Sequence, residues 1–242
     1  MSDREKTVGI FGDSFAHSYD HSGSFTTVLH HGWPRMLSSK HNFNILDYSQ
    51  GGSSLFYSYK KFISNLKNID VAVFVFTQNS RLYHSDDTVR IANINTIHSQ
   101  LKNIDANDPR YQIYKAAEMY YLYLLEKDYT GYVRNKIAED FISTCVAHDI
   151  KPILIPGFEL DIKQVTYFKT TLVEVSNTEI YTQFGDRQFR PDKNTRACHL
   201  SKENNEILSD LLADIINGKD LVITVDDFFY KKVDDPETYW EI

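Results

Sequence analysis

Four short polar clusters in this chain carry the residue types needed for acyl transfer from oxygen. Gly12-Asp13-Ser14 offers a hydroxyl. Gly51-Gly52 offers backbone N–H groups that no side chain screens. Thr77-Gln78-Asn79 offers a side-chain amide, and Cys198-His199-Leu200-Ser201 offers an imidazole. A serine hydroxyl is a weak nucleophile until a neighbouring base takes its proton. Histidine, with an ordinary pKa of ~6.5, suits that task at neutral pH. The tetrahedral oxyanion then needs preorganised donors, each worth about 3–4 kcal/mol. Ser14 is the candidate nucleophile and His199 the candidate base. The Ser14 N–H, the Gly52 N–H and the Asn79 amide are the candidate oxyanion donors.

Such groups act together only if the chain brings their elements to one place. Thr7-Val8-Gly9-Ile10-Phe11 is a short apolar run with β-branched members, which predicts a buried strand feeding the Gly12-Asp13-Ser14 turn. Proline at the first helical turn predicts a helix from Pro34 to about Ser39. A second strand is predicted over 43–48, stopped by Gly51-Gly52. Leu55, Tyr59, Phe62, Ile63 and Leu66 then recur at helical spacing. Val71 to Phe76 is a continuous apolar run, as a parallel strand covered on both faces requires. Residues 81–108 are polar and weakly patterned. Helices are predicted over 111–125 (rich in tyrosine) and 132–148, a strand over 152–155, and a fifth strand near 179–181. A last helix is predicted over 201–216, with Ser201 as N-cap, an apolar face of Ile207, Leu208, Leu211, Leu212 and Ile215, and Gly218 at its end. Alternating strands and helices argue for a parallel α/β sheet. In open α/β sheets ligands bind at the carboxyl ends of the strands, where these polar clusters fall.

The residues around the clusters resemble a known family, the SGNH (GDSL-type) hydrolases. Val8-Gly9-Ile10-Phe11-Gly12-Asp13-Ser14-Phe15 is similar to the family's strand and nucleophile turn. Asp47-Tyr48-Ser49-Gln50-Gly51-Gly52-Ser53-Ser54 resembles its glycine block, with Gly52 as the oxyanion glycine and Gly51 the adjacent choice. Val75-Phe76-Thr77-Gln78-Asn79 resembles its Gly-x-Asn-Asp block, and Cys198-His199-Leu200-Ser201, followed by Asn204-Asn205 and Leu208, its His-Leu-Ser ending. The four blocks run in the family's order. The resemblance implies a three-layer, flavodoxin-like, doubly wound parallel sheet with a helical insertion. It implies one such domain over residues 1–225, an insertion over about 81–132, and an acidic, aromatic tail over 226–242. It further implies a serine esterase acting on a short acyl or acetyl ester of a carbohydrate or small molecule, with no metal or organic cofactor.

Two departures bear on that expectation. Thr77 and Ser80 flank the third block where the family usually has glycine and aspartate. Arg196 stands three residues before His199, where the family usually has an aspartate, and an arginine cannot accept the imidazole N–H. Three arrangements remain open: Asp192 orients His199 from a longer loop, a backbone carbonyl does so and leaves a Ser14–His199 dyad, or the site has lost activity. The competing reading is a non-catalytic protein on the same fold that binds a glycan or a protein. A nucleotide-binding domain fits poorly, because both glycine-rich phosphate motifs are missing.

Composition narrows the classes further. With 242 residues, 42% hydrophobic and 24% charged, the chain has the makings of an ordinary globular protein. A net charge of -7 disfavours nucleic-acid binding. Two cysteines, Cys145 and Cys198, are too few for a disulfide framework or a structural zinc site. No secretory leader and no run of ~18 apolar residues is present, so the expectation is a cytoplasmic chain without a membrane span. His41, His84, His98 and His148 show no spacing that suits a metal ion, and His17 and His21 are read as loop residues that could line the rim of the site. The tyrosines of 111–123 either cover apolar surface with their rings or line a lid beside Asn79.

Overall fold

A computed structural model describes residues 5–16, 32–86, 89, 91, 93–158, 162–176, 200 and 202–228. Four parallel strands form its sheet: β1 (Thr7–Phe11), β2 (Asn44–Asp47), β3 (Val71–Phe76) and β4 (Lys151–Pro156). They lie in the order β2-β1-β3-β4, the flavodoxin-like order for a doubly wound sheet. The predicted fifth strand falls outside the described residues.

The pleat sorts the apolar runs onto two faces. Val8, Ile10, Val71, Val73, Val75, Ile153 and Ile155 join one buried cluster. Phe11, Ala72, Phe74, Phe76 and Leu154 join another. The first face is covered by α1 (Trp33–His41), through Trp33 and Leu37, and by α6 (Lys202–Ile216), through Leu208, Leu212, Ile215 and Ile216. The second is covered by α2 (Leu55–Asn65), through Leu55 and Phe62, and by α5 (Lys127–Ala147), through Ala138, Phe141 and Cys145. Helices on both faces make the three layers that the resemblance implies. All six residues of β3 are buried, as its uninterrupted apolar run requires.

Polar ties fix α6 against the sheet. The Lys6 ammonium donates to the Ile216 carbonyl at 2.8 Å, and the Lys151 ammonium donates to that of Ile215. Two cations thus donate to carbonyls of the last helical turn, where the dipole is negative; the Ile215 carbonyl also accepts from the Gly218 N–H at 2.9 Å. Burial, together with the Lys6 charge, pushes the Lys151 ammonium below its usual pKa. At the other side of the same helix, Asp210 receives Lys40 at 2.6 Å and His41 at 2.7 Å from α1.

The segment after β3 differs from its sequence-level description. Within the weakly patterned stretch lies α3 (Ile94–Asn103), started by an Asn93 side chain that accepts from the Thr96 N–H. It pairs with α4 (Pro109–Tyr123) around a small core of its own: Val89, Ile91, Ile97, Tyr114 and Ala117. Asn, Thr, His and Ser weaken the helical signal of α3, and the neighbouring helix supplies what propensity lacks.

Candidate active site

The chain leaves β1 for β2 on one side of the sheet, and β3 lies on the other, so the crevice beyond β1 and β3 is the topological switch point. Gly12 opens the turn there with φ +150°, a conformation that L side chains rarely adopt. A Cβ at this position would lie 2.8 Å from Ala16 Cβ and 2.9 Å from Val75 Cβ. The turn then closes by an Ala16 N–H bond to the Asp13 carbonyl at 3.0 Å, with Ser14 half-buried between them.

Asp13 is 0% exposed, and its carboxylate is the hub of the site. Oδ1 accepts from the Phe15 N–H at 3.0 Å, which braces the turn from within. Oδ2 accepts from the Thr77 hydroxyl at 2.8 Å and from Arg81 Nη1 at 2.6 Å. A buried carboxylate persists only with such partners. Thr77, a departure from the family pattern, here ties the end of β3 to the Gly12-Asp13-Ser14 turn.

The glycine loop packs on the other flank. The Gly12 carbonyl accepts from the Gln50 N–H at 3.0 Å and from the Ser53 hydroxyl at 3.2 Å. Gly52 sits in this loop with φ +75°, which a side chain would strain. Ser54 then caps α2 by accepting from the Tyr57 N–H at 3.2 Å. Arg81 Nη1 also donates to the Ser53 carbonyl at 3.2 Å, so this one cation touches both flanking loops.

Asn79 lies half-buried in the turn that leads from β3 to Arg81. The insertion holds that turn from outside, as the Tyr121 hydroxyl of α4 donates to the Ser80 carbonyl at 2.7 Å. Burial pushes the Tyr121 hydroxyl up to about 12, so it stays a donor at any physiological pH. This tyrosine fastens α4 to the turn carrying Asn79. Beyond β4, the Phe158 ring lies 5.5 Å from the Arg81 guanidinium and 5.5 Å, edge to face, from Phe15.

His199 and Asp192 lie outside the described residues, as do Arg196 and Cys198. The chain is described again at Leu200, buried at the approach to α6. Its carbonyl accepts from Asn205 Nδ2 at 3.1 Å. Asn205 Oδ1 accepts from the Trp33 N–H at 3.0 Å, and Trp33 Nε1 donates to the Phe15 carbonyl at 2.8 Å. Two side chains therefore connect Leu200, next in sequence to His199, to the turn that carries Ser14.

Beside Gly52 a shallow, open groove runs between the glycine loop and the start of the insertion. Gln50, Tyr57, Tyr83, His84 and Asp86 give it polar walls, and Leu82, Val89 and Ile91 an apolar side. Among the described residues no three His, Cys, Asp or Glu side chains converge as a metal site would. None of the described helices is long and apolar enough to cross a membrane. Sequence reasoning missed Arg81 and Tyr121 as parts of the site, and no local signal marks either.

No protein-family model matches the chain, and no curated protein matches it. Solved structures are similar to it at low identity. One, from Desulfitobacterium hafniense, is described as lipolytic and of the G-D-S-L family; it is 11% identical, with a TM-score of 0.39 over 87% of this chain and 99% of that one. A lipase/acylhydrolase from Enterococcus faecalis is 14% identical, with a TM-score of 0.37 over 90% of this chain and 100% of that one. An acetyl xylan esterase is 12% identical, with a TM-score of 0.34 over 87% of this chain and 99% of that one. Likenesses this distant leave the activity to the residues of the site.

Proposed function

We propose that this chain is a serine esterase of the SGNH type, hydrolysing a short acyl or acetyl ester of a carbohydrate or small molecule. Ser14 Oγ attacks the ester carbonyl carbon while His199 takes its proton. The carbonyl oxygen becomes an oxyanion that accepts from the Ser14 N–H, the Gly52 N–H and the Asn79 amide. Collapse of the intermediate expels the alcohol, which takes the proton from His199. A water that His199 deprotonates then cleaves the acyl-serine, releasing the acid and restoring the hydroxyl. Asp192 or a backbone carbonyl orients His199.

One observation carries the reading: the Gly12-Asp13-Ser14 turn at the switch point, whose Gly12 φ only glycine adopts readily, clasped by the loops that bear Gly52 and Asn79. The Leu200–Asn205–Trp33–Phe15 relay supports His199 as partner, because the residue after it is tied to that same turn. Residues 1–225 form one domain in this reading, and the insertion over about 81–132 shapes substrate choice. The groove beside Gly52 presents tyrosine rings, an amide and a carboxylate, groups able to hydrogen-bond the hydroxyls of such an ester.

The test is reaction with a fluorophosphonate probe and with p-nitrophenyl acetate. The parent's Ser14 Oγ should attack the probe's phosphorus and displace one fluoride from the probe per chain, leaving the phosphonyl group on Ser14. Ser14→Ala should carry none, and its kcat should fall by about 10³-fold or more. Equal hydrolysis by parent and variant would exclude the serine mechanism, and a parent that resists the probe would favour the glycan- or protein-binding alternative.

A further inference from the structure

We propose that Arg81 is the positioning residue of this site, setting the mutual placement of the nucleophile and both flanking oxyanion donors. The inference rests on the esterase reading and adds to it a residue that no motif marks.

Its geometry is that of a clamp. Nη1 binds Asp13 Oδ2 at 2.6 Å, one residue before Ser14. The same nitrogen binds the Ser53 carbonyl at 3.2 Å, one residue after Gly52. The Arg81 backbone continues the turn carrying Asn79, two residues away, and its N–H donates to the Gln78 carbonyl at 3.4 Å. One residue thus joins all three loops that supply the proposed hydroxyl and oxyanion donors, two through its side chain and the third through its backbone.

The chemistry at this point calls for arginine. Asp13 is fully buried, and the Arg81 side chain is only 11% exposed, so the pair sits where water screens it little. A guanidinium is planar, remains charged and is weakly hydrated, which suits a buried pair; an ammonium on a shorter stem does not reproduce its fork. The Phe158 ring over the guanidinium fills its remaining face. The Nε donor is buried with no hydrogen-bond partner among the described residues, so both polar contacts of the clamp run through Nη1.

A purely structural ion pair would affect stability, whereas a clamp must also affect the chemical step. A displacement near 1 Å between reacting groups costs about 10²-fold in rate. The experiment compares the parent, Arg81→Met, Arg81→Ala, Ser14→Ala and the pair Asp13→Asn/Arg81→Met, reading melting temperature and the kcat and KM for p-nitrophenyl acetate. Arg81→Met should lose about 10²-fold in kcat with KM within threefold. The double variant removes both charges; it should recover the parent's melting temperature but not its kcat. Guanidinium ion at millimolar concentration should restore part of the rate in Arg81→Ala and none in Ser14→Ala. Recovery of kcat in the double variant would reduce Arg81 to the counter-ion of Asp13 and overturn the proposal, as would a kcat within threefold of the parent in Arg81→Met. A parent no faster than Ser14→Ala would overturn both readings together, and is told apart because the parent itself then lacks the activity.

Discussion

Replacing Gly12 with alanine probes the turn on which the functional reading depends. Two costs add. The first is backbone strain: φ +150° lies where L residues rarely sit, and such a conformation costs about 1–3 kcal/mol. The second is collision. The new methyl would lie 2.8 Å from Ala16 Cβ, 2.9 Å from Val75 Cβ and 3.1 Å from the Val75 carbonyl oxygen. Val75 belongs to β3, paired with β4 on its other side, so it cannot retreat without disturbing the middle of the sheet. Overpacking of this kind costs about 1–3 kcal/mol. The expected loss is therefore about 2–6 kcal/mol, a large share of the roughly 5–15 kcal/mol that holds a typical domain together. Gly131→Ala is the control: it lies within α5, a Cβ there meets nothing within 4 Å, and alanine should stabilise by about 0.5–1 kcal/mol. Urea titrations followed by circular dichroism measure both changes, and fluorophosphonate labelling of the folded fraction reports on Ser14. A Gly12→Ala chain within about 1 kcal/mol of the parent and labelled at the parent's rate would refute the claim that this turn requires glycine's backbone freedom and leaves no room for a Cβ.

Asn205→Leu should cost about 2–4 kcal/mol, because it strands the buried Trp33 N–H and the Leu200 carbonyl together; a thermal melt showing a loss below about 0.5 kcal/mol would argue against the relay. Cys145 gives a pH signature. Burial raises its thiol from 9.0 to about 12, so the unfolded chain releases this proton at lower pH than the folded one. The thiol's contribution is intact below pH 9 and is lost as pH rises toward 12, at a slope approaching about 1.4 kcal/mol per pH unit. Denaturant titrations at pH 8 to 11 should show that extra slope in the parent and lack it in Cys145→Ala; parallel curves would count against it.

The sequence alone determined the elements whose signal is local. Val71–Phe76 is legible because six successive apolar residues bounded by polar ones have few other stable fates in a protein of this class. The polar clusters at 12–14, 51–52 and 77–79 are legible because residues that favour turns interrupt those strands, and the topology then brings them to one edge. The helix over 94–103 was hidden by poor helix formers, and only Ile97 within it is fully buried. Tertiary structure alone decided what surrounds Ser14. Arg81 looks like the first residue of a polar stretch, Thr77 like a departure from a motif, and Tyr121 like one tyrosine among several. Folding places the first two on a single buried carboxylate and the third on the Ser80 carbonyl. The reason is physical: periodicity records which side of an element faces the core, whereas the partner of a buried charge is chosen by packing between segments distant in sequence, here 68 residues apart.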